Sequence, residues 1–243
     1  MLDSAYSFIS SRQDPVAIIR QRVTNILWYT IECYQLLLKD GPSYSKKLVA
    51  EGSAYNFEDF LKMEFVDNYL VKNKKLLTDK ISALEEINFV YETVRRFIDA
   101  DGTQRSDKID IFINKIGLRD LLKYEDEYVY FVYECKRISV LSDTAAYIDD
   151  ILKFTERQYS FRLPFEGMIG FIEVSNISHL VISIEVNRRL KNSSIKTNQY
   201  LSNVKLHSNF DGSYNSLHQK NSTKDEHFSI YHLLFDYAKL VMS

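Results

Sequence analysis

The chain has 243 residues, of which 45% are hydrophobic and 26% are charged, as is usual for a soluble globular domain. A formal net charge of -2 excludes a globally basic nucleic-acid-binding protein, and two widely separated cysteines argue against a zinc site or a disulfide scaffold. Because no signal-peptide pattern and no apolar stretch of membrane-spanning length is present, we expect a cytoplasmic protein without a membrane partner.

The first part of the chain predicts helices. Apolar residues at helical spacing indicate a helix over 15–39, with Asp14 as its N-cap, and a second helix over 56–71. We expect residues 1–50 to form an N-terminal helical extension, exposed outside the core and used for docking or dimerisation. Residues 51–243 would then form the main domain.

The pattern then changes to strands, which alternate with helices further along the chain. The alternation and the β-branched and aromatic content predict an antiparallel meander that enters a strand–helix–strand crossover. The segment 191–226 is rich in Asn, Ser and Lys and carries no predicted element, and an apolar segment, 228–241, closes the domain. The sequence therefore predicts an α/β fold with a mixed central sheet flanked by helices. The predicted elements are strands at 87–94, 108–113 and 128–136, a helix at 142–156, a strand at 167–174 and a helix at 177–190.

Charged residues inside two of these strands indicate a catalytic site. Asp110 lies between apolar neighbours, and Glu134 and Lys136, two residues apart on one strand, project from the same face. Carboxylates are the ligands that Mg²⁺ prefers. We expect Asp110 and Glu134 to hold Mg²⁺ or Mn²⁺ with the backbone carbonyl of Cys135, while Lys136 orients or activates a water or steadies the phosphate.

An Asp on one strand, Glu-X-Lys on the next, then a helix and a buried strand resembles the PD-(D/E)XK, or restriction-endonuclease-like, nuclease superfamily. The resemblance implies a restriction-endonuclease-like core in which Asp110, Glu134 and Lys136 are catalytic. It also implies an acidic residue on the preceding helix, for which Glu58 fits best, with Glu64 and Glu92 as alternatives. The chain departs from the family pattern in having no proline before Asp110.

The family resemblance further implies a Mg²⁺-dependent DNA endonuclease that acts in defence against foreign DNA, as a homodimer or with a partner subunit. One alternative is a catalytically inactive nucleic-acid-binding or scaffold module of a defence complex. Another interpretation of the motif itself is a buried salt bridge between Glu134 and Lys136 or Arg137.

A basic segment follows the last predicted helix. Between Arg188 and Lys224 the sequence has seven Lys and Arg residues against one acid. We expect the beginning of this segment to contact nucleic-acid phosphates. Two histidines, His218 within this segment and His232 after it, could assist phosphate binding, although hydrogen-bonded core residues are the expected alternative. The predicted phosphate contacts are Arg188, Arg189, Lys191 and Lys196.

Overall fold

The structure is a computed structural model that describes residues 14–77, 86–98, 102–125, 129–156, 163–221 and 226–242. None of the helices in these ranges is long and apolar enough to cross a membrane. The helices are α1 Pro15–Asp40, α2 Lys46–Gly52, α3 Phe57–Phe65, α4 Arg119–Leu122, α5 Thr144–Glu156 and α6 His179–Lys191. The strands are β1 Tyr44–Ser45, β2 Asn88–Ile98, β3 Gln104–Asn114, β4 Phe131–Ile138, β5 Phe165–Ile172, β6 Thr197–Asn203, β7 Ser213–Gln219, β8 His227–Asp236 and β9 Val241–Met242.

Seven strands form one mixed sheet in the order β2-β3-β4-β5-β8-β7-β6. The meander β2-β3-β4 is antiparallel, β4, β5 and β8 are parallel neighbours, and β7 returns antiparallel to β8. Helix α5 makes the crossover between β4 and β5, as a parallel connection requires. The predicted mixed central sheet flanked by helices is confirmed.

Two hydrophobic clusters cover the two faces of the sheet. One joins α1, α2 and α3 to alternate residues of the central strands, such as Phe131, Tyr133 and Cys135 of β4. The other joins α5 and α6 to the intervening residues, such as Val132 and Ile138. Since side chains alternate along a strand, Glu134 and Lys136 project toward the face that α5 and α6 cover.

The expectation that the N-terminal helix is exposed outside the core is wrong. Ten residues of α1 are buried, and its apolar face belongs to the same cluster as the strands. The Tyr34 ring stacks on that of Phe235, with ring centroids 4.1 Å apart, and the Tyr34 hydroxyl donates to the carbonyl of Asp236. Asp14 caps the first turn of α1, as the sequence predicts. At the other end, Gly41 adopts a left-handed conformation that terminates the helix. Helix α1 is therefore a layer of the domain.

The second predicted helix is regular only over its first part. The α-helix α3 ends at Phe65, and the chain continues as a wider π-helical turn, Val66–Leu70. Two carbonyls of this turn accept hydrogen bonds from α1, since the Tyr29 hydroxyl donates to Leu70 and the Cys33 thiol donates to Tyr69. These contacts fix α3, which carries Glu58, against α1.

The segment that had no predicted element contains β6 and β7. Strand β7 buries polar side chains, which a search for apolar alternation does not detect. These side chains form a buried chain of hydrogen bonds, in which Ser216 contacts both His218 and His232 at 2.8 Å. His232 continues the chain to the Tyr147 hydroxyl on α5, and His218 continues it to Thr197 on β6. The expectation of hydrogen-bonded core histidines is confirmed.

We expect these histidines to make folding sensitive to acid. Burial lowers the pKa of His218 to about 4, and burial together with His218 lowers the pKa of His232. Between the unfolded value of 6.5 and about 4, the unfolded chain binds protons that the folded chain does not. The stabilisation is therefore complete above pH 6.5 and is lost as the pH falls toward 4, by about 3 kcal/mol for His218 alone.

Urea denaturation between pH 7.5 and 4.5 measures this loss. We expect His218→Gln to flatten the dependence of the unfolding free energy on pH, whereas the same change at the exposed His227 should leave it steep. An equal slope in the wild type and in His218→Gln would contradict the assignment of a neutral, buried His218.

Strand β5 approaches β4 closely at Gly167, and a Cβ atom there would overlap the ring of Tyr133. Tyr133 is fully buried and hydrogen-bonds Thr30 of α1, so it cannot move aside freely. We expect Gly167→Ala to lower the free energy of unfolding by about 1–3 kcal/mol, the usual penalty for overpacking a core. Gly52→Ala is the matched control, because a Cβ at Gly52 meets open space. Equal urea midpoints for the two variants would show that the β4–β5 packing is looser than described.

Candidate active site

The register of β3 and β4 brings Asp110 beside Glu134. The last paired residues are Ile111 and Tyr133, so the next residue on each strand is one of the two acids. Beyond this point the ladder is replaced by a side-chain contact, because the Asp110 carboxylate accepts a hydrogen bond of 2.8 Å from the backbone N–H of Cys135. The two carboxyls therefore lie where the strands part.

Glu134 is buried among negative charges. Burial first, and then the charges of Asp110 and Asp150, raise the pKa of the Glu134 carboxyl well above its usual value. Lys136 acts in the opposite direction as a smaller effect. Two carboxyls in contact in a nearly dry site favour a proton or a cation between them.

Lys136 is held by two acids from neighbouring helices. Its ammonium lies 2.9 Å from Asp150 of α5 and 3.6 Å from Glu58 of α3, and it donates to the Cys135 carbonyl at 3.2 Å. Burial alone would lower the pKa of Lys136, but the charges of Asp150 and Glu58 outweigh burial and raise it. The side chain therefore remains an ammonium at neutral pH.

Of the three candidates for the additional acid, Glu58 reaches the motif. Its carboxylate accepts a hydrogen bond of 3.0 Å from the backbone N–H of Arg137 and faces Lys136. Glu64 accepts from Asn68 one turn further along its own segment. Glu92 lies on β2 and contacts Lys108. We therefore keep Glu58 as the candidate.

The end of β4 is fixed by an ion cluster next to the site. The Arg137 guanidinium makes a two-point contact with Glu173, which also binds Lys46 at 2.7 Å and accepts from the Ser139 hydroxyl at 2.7 Å. The sequence also allowed a salt bridge between Glu134 and Arg137. In the structure, Arg137 pairs with Glu173. Arg137 of β4 and Lys46 of α2 meet here with residues that directly follow β4 and β5, next to Lys136.

Lys62 of α3 is a site residue that the sequence did not predict. Its side chain is 2% exposed, and its ammonium lies 2.6 Å from Asp110 and 2.6 Å from Asp59. Glu92 is a third acid, at 4.0 Å. Burial would lower the pKa of Lys62, but Asp110 in particular raises it above its ordinary value.

The oxygen donors of the site fit a hard divalent cation. Asp110 and Glu134 supply two adjacent carboxylates, and the Cys135 carbonyl points to the neighbouring Lys136. Mg²⁺ commonly binds through one or two carboxylates and completes its shell with water and substrate oxygens. Within the described ranges, no group of three or more His, Cys, Asp or Glu side chains is arranged to hold a metal ion. The candidate ligands of such an ion are Asp110, Glu134 and the backbone carbonyl of Cys135.

The predicted phosphate contacts lie on and after α6, whereas the acids lie on α3, β3 and β4. Arg188 and Arg189 both contact Glu185 within their own helix, at 2.6 and 2.9 Å. The Lys191 ammonium lies over the ring of Tyr200. The two arginines and Asp149 of α5 line a cleft of about 280 Å³. The structure thus groups Arg188 and Arg189 on the α5–α6 face of the sheet, and Lys196 follows them in the loop before β6.

A scan against protein-family models found no match to this chain, and searches of curated proteins and of solved structures found none either. The function proposed below therefore depends on the geometry of the site and on the sequence resemblance.

Proposed function

We propose that the protein is a metal-dependent nuclease that hydrolyses phosphodiester bonds in DNA. One observation carries the proposal: β3, β4 and α3 bring Asp110, Glu134, Lys136 and Glu58 to one place, at the point where β3 and β4 part. The sequence predicts these four residues as the catalytic set. Their convergence supports the resemblance to the PD-(D/E)XK superfamily.

Asp110 and Glu134 would hold Mg²⁺ or Mn²⁺, with the Cys135 carbonyl as a third oxygen. When bound, such an ion polarises a phosphoryl oxygen and lowers the pKa of a coordinated water. Glu134, whose pKa burial raises, would be held as a carboxylate by that charge.

We assign Lys136 one of the roles that the sequence leaves open. Because its pKa is raised, it is a hydrogen-bond donor and a positive charge at neutral pH, and it does not accept the proton of a water. We assign it to the negative charge that develops on the phosphoryl group. Asp150 and Glu58 hold its ammonium in position.

Supercoiled plasmid nicking tests the proposal. Wild-type protein is incubated with plasmid in Mg²⁺, in Mn²⁺ and in EDTA, and a labelled RNA of similar length is assayed in parallel. We expect open-circular plasmid with either metal and intact plasmid in EDTA. Intact plasmid under all conditions, at enzyme concentrations equal to that of the plasmid, would contradict the proposal.

A role in defence against foreign DNA would appear as reduced phage plating on cells that express the wild-type protein.

The ion pair of Lys62 with Asp110 favours a second candidate, a catalytically inactive nucleic-acid-binding or scaffold module. An ammonium that neutralises the catalytic acid leaves no unpaired buried charge at Asp110 when no metal is bound. Such a module would shift labelled DNA in a gel and leave plasmid intact. The two functions are thus separated by measuring DNA binding and nicking on the same preparation.

A further inference from the structure

Both oxygens of the Asp110 carboxylate are already engaged. One lies 2.6 Å from the Lys62 ammonium, and the other accepts from the backbone N–H of Cys135 at 2.8 Å. The N–H belongs to the strand and cannot leave. Each oxygen keeps a further lone pair, so a second cation can bind at either of them, and at both it would lie next to the Lys62 ammonium.

A divalent cation at Asp110 and the Lys62 ammonium repel each other at short range. Mg²⁺ binds carboxylate oxygens at about 2.0–2.1 Å, so both cations would lie within a few ångströms of each other in a buried site. Like charges repel strongly where little water screens them. An ion that binds Asp110 must consequently move the ammonium away.

The ammonium has somewhere to go. Asp59, one turn earlier on α3, contacts it at 2.6 Å, and Glu92 lies 4.0 Å away on β2. A rotation of the flexible Lys62 side chain toward these two acids keeps its charge paired while it releases Asp110. The backbone of α3 need not move.

We infer that Lys62 holds the cation position of Asp110 in the metal-free protein, and that a divalent metal binds by displacing its ammonium toward Asp59 and Glu92. The inference rests on the proposed function, because it assumes that Asp110 is a metal ligand. Lys62 is then a competitor of the metal, which sets the metal concentration at which the site fills.

Calorimetric titration with Mn²⁺ and with the less reactive Ca²⁺ tests the competition without any measurement of cleavage. We expect Lys62→Met to bind Mn²⁺ at least about tenfold more tightly than the wild type, the scale at which neighbours of metal ligands alter metal affinity. Lys205→Met is the control, because it also removes one ammonium from an acid, Asp211, but does so beside β6 at the other edge of the sheet. The control should bind as the wild type does. Adding Asp110→Asn to Lys62→Met should abolish the gain.

A second variant guards against misfolding, because Lys62→Met removes the counter-ion of the buried Asp110 and of the partly buried Asp59. Lys62→Met combined with Asp59→Asn keeps the net charge of the wild type. Mn²⁺ should raise the melting temperature of both variants by more than it raises that of the wild type. Variants that fold only with Mn²⁺ would support the inference, and variants that do not fold even with Mn²⁺ would overturn it.

The remaining outcomes separate the two proposals. If the wild type binds Mn²⁺ and Lys62→Met binds it equally or more weakly, Lys62 does not compete with the metal. The inference is then wrong, while the nuclease proposal stands. If no variant binds Mn²⁺ and plasmid remains intact, both are wrong.

Discussion

Asp110→Asn is expected to lower the rate of plasmid nicking by about a thousandfold or more, the upper range for losing one charge-stabilising group of an active site. The change removes the negative charge of Asp110, one of the two carboxylates proposed to bind the cation. It keeps a side-chain oxygen that can accept the hydrogen bond from the backbone N–H of Cys135. The fold should therefore survive. Single-turnover nicking and Mn²⁺ calorimetry, performed on the same variant, measure the loss of rate and of metal affinity.

Asp120→Asn is the control for this prediction, because Asp120 is an exposed acid at the start of α4. It should nick and bind Mn²⁺ as the wild type does. Unchanged Mn²⁺ affinity in Asp110→Asn would remove Asp110 from the set of metal ligands, even if nicking were slow.

Lys136→Met is expected to slow nicking by about 100- to 1,000-fold while the Mn²⁺ affinity does not fall. The ammonium interacts with the reacting phosphate in the proposed function and is not a metal ligand. Asp150, which is 1% exposed, keeps Lys153 as a partner at 2.6 Å when Lys136 is removed, so the core is not left with an unpaired charge.

Lys153→Met is a close control, since it takes the other ammonium away from the same carboxylate. Lys153 is more exposed than Lys136, and we expect nicking to change less than about tenfold. Equal losses in the two variants would mean that neutralising Asp150 matters, and that Lys136 has no separate role at the phosphate.

The parts of the site that lie on strands could be predicted from the sequence. The spacing of Glu134 and Lys136 places both on one face of β4, and the antiparallel pairing of consecutive strands places Asp110 on the neighbouring strand. Local pattern and pairing rules suffice for these residues.

Lys62 and Asp150 could not be found in the same way, because their partners are distant in the sequence. A lysine on an amphipathic helix is normally solvated, and the contact with Asp110 spans 48 positions. One signal was present, since Glu58 and Lys62 are four residues apart and share one face of α3. Once Glu58 is placed at the site, Lys62 follows one turn later.

The fold was predicted where apolar periodicity is strong and was missed where polar side chains are buried. Strand β7 buries Ser213, Ser216 and His218, which hydrogen-bond one another or residues of β8 and of the segment that follows β6. The error about α1 has a different cause. Its amphipathic pattern indicates a buried face but does not say which surface covers it, and that surface includes β8, about 200 residues later.

The position of β8 in the sheet has a consequence for biosynthesis. Strand β8 lies between β5 and β7 and packs against α1, with Tyr34 and Asp236 separated by 202 positions. A ribosome adds about 5–20 residues per second, so α1 waits for about 10–40 s before its partner strand is made. During that interval the part of α1 that packs on β8, and the edge of β5 that pairs with it, lack their native partner. The nascent chain is therefore expected to depend on chaperones until β8 has left the ribosome.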